Sequence, residues 1–166
     1  MPRRRRALTA FAVAVTLCTG GLALTGCAAD PDTSGLEAEL GAVDGVNGAF
    51  VWTTHPNAPW VTHVQVMLFL DDPSETGVVD AVRAAAPVLA ADDAAASADV
   101  VGLTFVDGQR ADYSVRGEAT RDVIAVTPDI ARELRVAETG KRQLQVSPAD
   151  LRALAGIGSI DHDHIR

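Results

Sequence analysis

Between Trp60 and Leu70 the chain alternates with a period of two, and this pattern limits the fold more than any other. Trp60, Val64, Val66, Leu68 and Leu70 fall on one face of an extended strand, and His63, Gln65, Met67 and Phe69 on the other. The first face is apolar throughout and has to be buried. The second turns from polar to apolar along its length, which predicts a strand more covered at its far end. Such a strand needs neighbours in a sheet and a layer packed on its apolar side.

The flanking segments supply both. Leu36 to Ala42 reads as a short helix, and Gly45-Val46 opens a strand over roughly 46–54. His55-Pro56-Asn57-Ala58-Pro59 is a loop, because two prolines deny a ladder its donors. Asp71-Asp72-Pro73-Ser74 stops the strand at Leu70 and starts a helix in which Val78, Val82, Ala85 and Leu89 form a buried stripe. Pro87 is expected to kink that helix or end it at Ala86. Residues 92–99 are a connector of small and polar residues. Asp107-Gly108 lies between the extended segments 100–106 and 109–115, which predicts a hairpin with a two-residue type I′ turn. Its second arm would set Ala111, Tyr113 and Val115 against Arg110, Asp112 and Ser114.

Two cap-plus-proline devices follow. Val123 to Val126 reads as a short strand, and Thr127-Pro128 starts a helix to about Ala137 that buries Ile130 and Leu134. Gln143 to Val146 reads as a further strand. Ser147-Pro148-Ala149-Asp150 then starts a helix to Ala155, with Asp150 where a capping box usually holds Glu or Gln and Gly156 as the stop. The order of elements predicts an α+β fold: an antiparallel sheet of about four to five strands with helices packed on one face.

The first 27 residues have a different character. Arg3 to Arg6 form a basic head, residues 7–24 carry no charge, and Leu24-Thr25-Gly26-Cys27 follows. A retained transmembrane helix fits less well, since Thr9, Thr16, Thr19, Gly20 and Gly21 dilute a run already at the lower length limit for spanning. The apolar, small, Gly, Cys order resembles the lipobox of bacterial lipoprotein precursors. That resemblance implies a diacylglyceryl group on the sulfur of Cys27, cleavage just before it, and residence on the extracytoplasmic side of the cell membrane. Composition looks actinobacterial, and Arg5-Arg6-Ala7-Leu8 resembles a twin-arginine signal without deciding the export route. The opening helix and Gly-Val-led strand are similar to small αββ modules such as BON domains. The expected organisation is a signal peptide at 1–26, a lipidated Cys27 with a tether to residue 35, a domain at 36–156 and a tail at 157–166.

Charge and cysteine usage narrow the function. Cleavage before Cys27 leaves 140 of the 166 residues, enough for one domain with a proper core. The four leader arginines go, so 14 basic residues become ten against 22 acidic ones, a net charge of −12. Such a charge argues against nucleic acid and against electrostatic binding to anionic lipid. Membrane association would come from the acyl chains. Cys18 leaves with the leader and Cys27 carries lipid, so no disulfide and no Cys-based zinc site or thiol nucleophile is expected.

Signals for chemistry are few. His162 and His164 alternate with Asp161 and Asp163, so in extended conformation both imidazoles share one face. With His55 or His63 they would form a ligand set for a divalent metal; the plainer reading is a solvated charged tail. Trp52 and Trp60 flank the 55–59 loop, either as core anchors or as an aromatic ligand-binding platform. No Gly-x-Ser-x-Gly is present, and Ser74 and Ser147 read as caps. The pairs Asp71/Asp72 and Asp92/Asp93 sit in turn-forming segments and read as solvated acids. No phosphate-cradling glycine loop appears, and Lys141 is the sole lysine. The expectation is a non-catalytic lipoprotein that binds an envelope protein or cell-wall component and needs no cofactor. The alternatives are a metal-binding lipoprotein using His162 and His164, and an enzyme whose type its residues do not identify.

Overall fold

Four strands lie side by side in chain order: β1 (Val46–Thr54), β2 (His63–Leu70), β3 (Val100–Asp107) and β4 (Leu144–Val146). The computed structural model describes residues 31–137 and 140–160, the last four as backbone only. β1 pairs with β2 and β3 with β4 antiparallel, whereas β2 and β3 run parallel. A parallel pair needs a long crossover, and α2 (Glu75–Ala91) with α3 (Asp93–Ser97) supplies it. Helices α1 (Ser34–Leu40), α4 (Pro128–Leu134) and α5 (Pro148–Ile160) complete an α+β fold with a mostly antiparallel mixed sheet.

The apolar face of β2 carries the main core. Val64, Val66 and Leu68 are fully buried, together with Val101, Leu103 and Phe105 of β3 and Leu144 of β4. Against them pack Val78, Val82, Ala85 and Leu89, the four residues of the expected α2 stripe, each fully buried. Fully burying one such aliphatic side chain contributes about 1.5–3 kcal/mol, so this layer dominates stability. Leu36 and Leu40 of α1, Ile130 and Leu134 of α4, and Leu151 and Leu154 of α5 join the same cluster. Among the described residues no polar or charged residue is buried.

The caps form as their spacing predicts. The Thr127 hydroxyl accepts the Ile130 N–H at 3.3 Å. At α5 the Ser147 hydroxyl accepts the Asp150 N–H at 3.1 Å, while the Asp150 carboxylate accepts the Ser147 N–H at 3.0 Å. Asp150 therefore closes a reciprocal box despite its shorter side chain. At α2 the Ser74 hydroxyl accepts the Gly77 N–H at 3.1 Å. The Asp72 carboxylate in turn accepts the Ser74 N–H at 2.9 Å, and this backbone contact holds its pKa below the ordinary value.

Several expectations fail, three of them in how elements start, end or pair. The hairpin at Asp107-Gly108 does not form: residues 110–112 make a 3₁₀ turn instead. β3 already has β2 on one side and β4 on the other. The short β4 leaves the end of β3 free on one side, and the later segment 122–124 takes it. Val123 bridges Val106, the Ile124 N–H donates to the Phe105 carbonyl, and Val123 is the extent of the strand expected at 123–126. Secondly, α5 continues past Gly156 to Ile160. Thirdly, Pro87 neither ends nor divides α2, which runs on to Ala91.

Pro87 is exposed while Ala85, Ala86 and Leu89 around it are buried. The apolar stripe thus holds the helix together across the missing N–H. Replacing Pro87 by alanine restores a donor for the Arg83 carbonyl and adds about 3 kcal/mol of helix propensity, less about 1 kcal/mol for a freer unfolded chain. Pro87→Ala is expected to stabilise the protein by about 2 kcal/mol in urea unfolding. An unchanged or lowered midpoint would contradict this account of α2.

Candidate functional site

The second face of the sheet is closed at one end and open at the other. Met67 and Phe69 of β2 and Val106 of β3 are buried there with Ala119, and Phe50, Trp52, Tyr113 and Val123 pack around them. The cover is the segment that failed to become a hairpin arm. Phe69 meets Phe50 edge-on at 5.7 Å and Tyr113 at 5.3 Å between ring centroids. His63 and Gln65, by contrast, remain partly exposed. The polar-to-apolar gradient along β2 therefore matches the extent of the cover.

Arg110 fixes that cover to β1. Its guanidinium carbon lies 3.5 Å from the Phe50 ring centroid, its Nε donates to the Ala49 carbonyl at 3.3 Å, and one Nη donates to the Tyr113 carbonyl at 2.9 Å. A bulge in β1 between Val46 and Gly48 frees Asn47 for the same purpose. The Asn47 Oδ1 accepts the Arg110 N–H at 2.8 Å, and its Nδ2 donates to the Gly108 carbonyl at 3.2 Å. Tyr113 donates its hydroxyl to Asp122 at 2.9 Å, and this bond is the main reason its pKa lies above the ordinary value.

The open end is a polar floor. Gln65 of β2 and Gln143 beside β4 are hydrogen-bonded across β3. They pass over Gly102, where a Cβ would collide with both side-chain amides. His63, Thr104 and Gln145 share this side by register. Trp52 borders it on β1, with the Arg116 guanidinium carbon 4.5 Å from its ring centroid. Beside Trp52 a groove of about 360 Å³ runs along β1, lined by Glu37, Phe50, Val51, Val115 and Arg116 among others. The β1 edge facing the groove is occupied: the Val51 N–H donates to Glu37 at 2.7 Å, and its carbonyl accepts from Thr33 at 3.1 Å. At Val51 the edge therefore offers no free backbone pair to another strand.

A second groove, of about 320 Å³, separates α2 from α4. Its arginines are engaged: Arg83 pairs with Glu133 at 2.8 Å and Arg132 with Asp129 at 2.6 Å. Glu75 and Asp80 also line it, so the groove carries mixed charge without a free cationic centre among the described residues.

The residues singled out by sequence are dispersed. Cys27, His162 and His164 lie outside the described residues. His63 starts β2 on the open face, and His55 follows β1 in the loop. Among the described residues no group of three His, Cys, Asp or Glu side chains is placed to hold a metal ion. Trp52 is half-buried at the border of the second cluster, whereas Trp60 is 81% exposed. The core-anchor expectation thus fails for Trp60. Its strand starts three residues later, at His63, and Trp60 falls in the loop where no layer covers it. Among the described residues no ring contact joins the two tryptophans. The sequence does not single out Arg110 or Arg116: the expected strand sets Arg110 on the face opposite Ala111, Tyr113 and Val115. No local signal in 109–116 announces a guanidinium over an aromatic ring.

Among the described residues no helix is long and apolar enough to cross a membrane. No protein-family model, no curated protein and no solved structure matches this chain.

Proposed function

We propose that this protein is a lipid-anchored module on the extracytoplasmic side of the cell membrane, binding an envelope protein or cell-wall component rather than catalysing a reaction. The position of Cys27 carries the reading: the lipobox-like motif ends seven residues before α1 begins at Ser34. Such a spacing would leave room for a short tether and supports a fold whose described elements all follow the expected cleavage point. Acyl chains on Cys27 would hold it to membrane lipid.

The open floor of the sheet supports the binding role. Gln65, Thr104, Gln143 and Gln145 bring no charge to it, and Gln65 and Gln143 are preset by their mutual bond. A preordered surface of amides suits a partner rich in hydrogen-bonding groups, as an envelope protein or cell-wall polymer is. A photo-crosslinking residue at Gln145, which is exposed on this floor, should form adducts with an envelope macromolecule in intact cells. The same residue at Arg152, exposed on the helical side, should not. Equal adducts at both positions, or none at Gln145, would refute the assignment of this face.

A further inference from the structure

We propose that the loop between β1 and β2 is a second membrane contact, seating Trp60 at the lipid–water boundary of the leaflet that holds Cys27. This rests on the anchoring through Cys27 proposed above. Trp60 and Val115 are the large apolar side chains left exposed among the described residues, and Trp60 is the more exposed at 81%. A tryptophan has an apolar body and a polar N–H, the combination that favours the membrane interface over either water or hydrocarbon.

The surrounding sequence suits that environment. From Val46 to Leu70 there is no Asp, Glu, Lys or Arg, so the loop and both its strands bring no fixed charge to the lipid. The loop is also held in shape. Pro56 and Pro59 restrict it, and the Val61 N–H donates to the Ala58 carbonyl at 3.1 Å. The Thr62 N–H donates to the Asp99 carboxylate at 2.8 Å, and the Asp99 N–H returns a bond to the Thr62 carbonyl at 2.8 Å. Little ordering remains to be done when Trp60 meets a surface.

Topology brings the loop to the anchored end. The chain arriving from Cys27 reaches β1 where Thr33 bonds the Val51 carbonyl, three residues before the strand ends at Thr54. Three residues of strand are about 10 Å. Pro31 and Asp32 line a groove with Asp92 and Asp93, which lie between α2 and the start of β3. The exit of β1 and the starts of β2 and β3 therefore share an end with the incoming chain. The seven residues from Cys27 to Ser34 reach at most about 25 Å, so this end is confined near the lipid.

Acidic groups limit the contact. Asp32, Asp92, Asp93 and Asp99 stand at the same end and are repelled by anionic headgroups. That repulsion is screened over about 8 Å at physiological salt. The contact is accordingly apolar and interfacial, strongest on neutral lipid, and on anionic lipid it strengthens with added salt.

Tryptophan emission tests this in the mature lipidated protein reconstituted into phosphatidylcholine vesicles, with and without brominated acyl chains. The wild type minus Trp60→Phe difference isolates the exposed ring. The expected result is loss of the Trp60 emission with brominated lipid, together with protection from aqueous iodide. In vesicles containing phosphatidylglycerol the loss should deepen as salt is raised. Trp60 emission that brominated lipid leaves untouched and iodide quenches, while the protein stays vesicle-bound, would overturn the contact and leave the anchor standing. Vesicles that retain Cys27→Ser protein as firmly as lipidated protein would overturn the anchor, and with it the geometry that brings the loop to the surface.

Discussion

Replacing Cys27 by serine is expected to move the protein from the membrane fraction into the medium. A serine hydroxyl cannot take the thioether-linked diacylglyceryl group that the lipobox resemblance assigns to the sulfur. Each buried methylene contributes about 0.8 kcal/mol, so two acyl chains hold a protein stably where one holds it marginally. Nothing among the described residues would approach that. Cleavage before Cys27 would leave a net charge of −12, which would oppose association with an anionic surface, and no helix among the described residues is long and apolar enough to cross a membrane. One interfacial tryptophan orients a protein that is already tethered and does not hold it alone. Fractionation followed by immunoblotting checks the outcome. Cys27→Ser protein found wholly with membranes that survive a carbonate wash would sink the anchoring.

Phe69→Ala is expected to lower the unfolding free energy by about 3–5 kcal/mol, the usual cost of emptying a buried phenylalanine site. Phe69 is fully buried and touches both Phe50 and Tyr113, so it is the centre of the smaller core. Its loss removes the largest apolar contact that holds residues 110–123 on the sheet. The ties that remain between this segment and the sheet include Arg110 on Phe50, Asn47 on Arg110, the Val106–Val123 bridge and Ala119 against the Met67 and Val106 cluster. Net, each hydrogen bond among them contributes about 0.5–1.5 kcal/mol, so the segment is held far more weakly than the main core. Amide protection should therefore fall first in 110–123, while α2 and the β2–β3 pair keep theirs until global unfolding. Domains of this size are stable by about 5–15 kcal/mol, so the variant should fold but unfold at visibly lower urea. A loss below about 1 kcal/mol, or uniform loss of protection, would show that the two faces are not separate units.

How much of this was legible in the sequence depends on the range of the interaction. The β1 limits, the α2 stripe, the Thr127 and Ser147 caps and the polar-to-apolar change along β2 all follow from residues within one or two turns of each other. Periodicity and capping are local, and local rules suffice for them. The α+β class follows because such elements have few ways to cover one apolar sheet face. The lipobox-like motif is likewise a contiguous pattern, though it speaks of an anchor and not of a ligand.

Tertiary structure alone decided the rest, because a strand's partners and a side chain's cover are chosen across the whole chain. β2 and β3 run parallel because α2 carries the chain back before β3 begins. Asp107-Gly108 has hairpin residues, but the place beside the end of β3 went to Val123, so residues 110–112 curled and carried Arg110 onto Phe50. Pro87 stayed inside α2 because the buried stripe around it outweighed a lost hydrogen bond. Trp60, apolar in its ring, is left uncovered by the fold because no layer among the described residues reaches its loop. Backbone hydrogen bonds and apolar area are satisfied globally, and a window of ten residues does not contain the competitors.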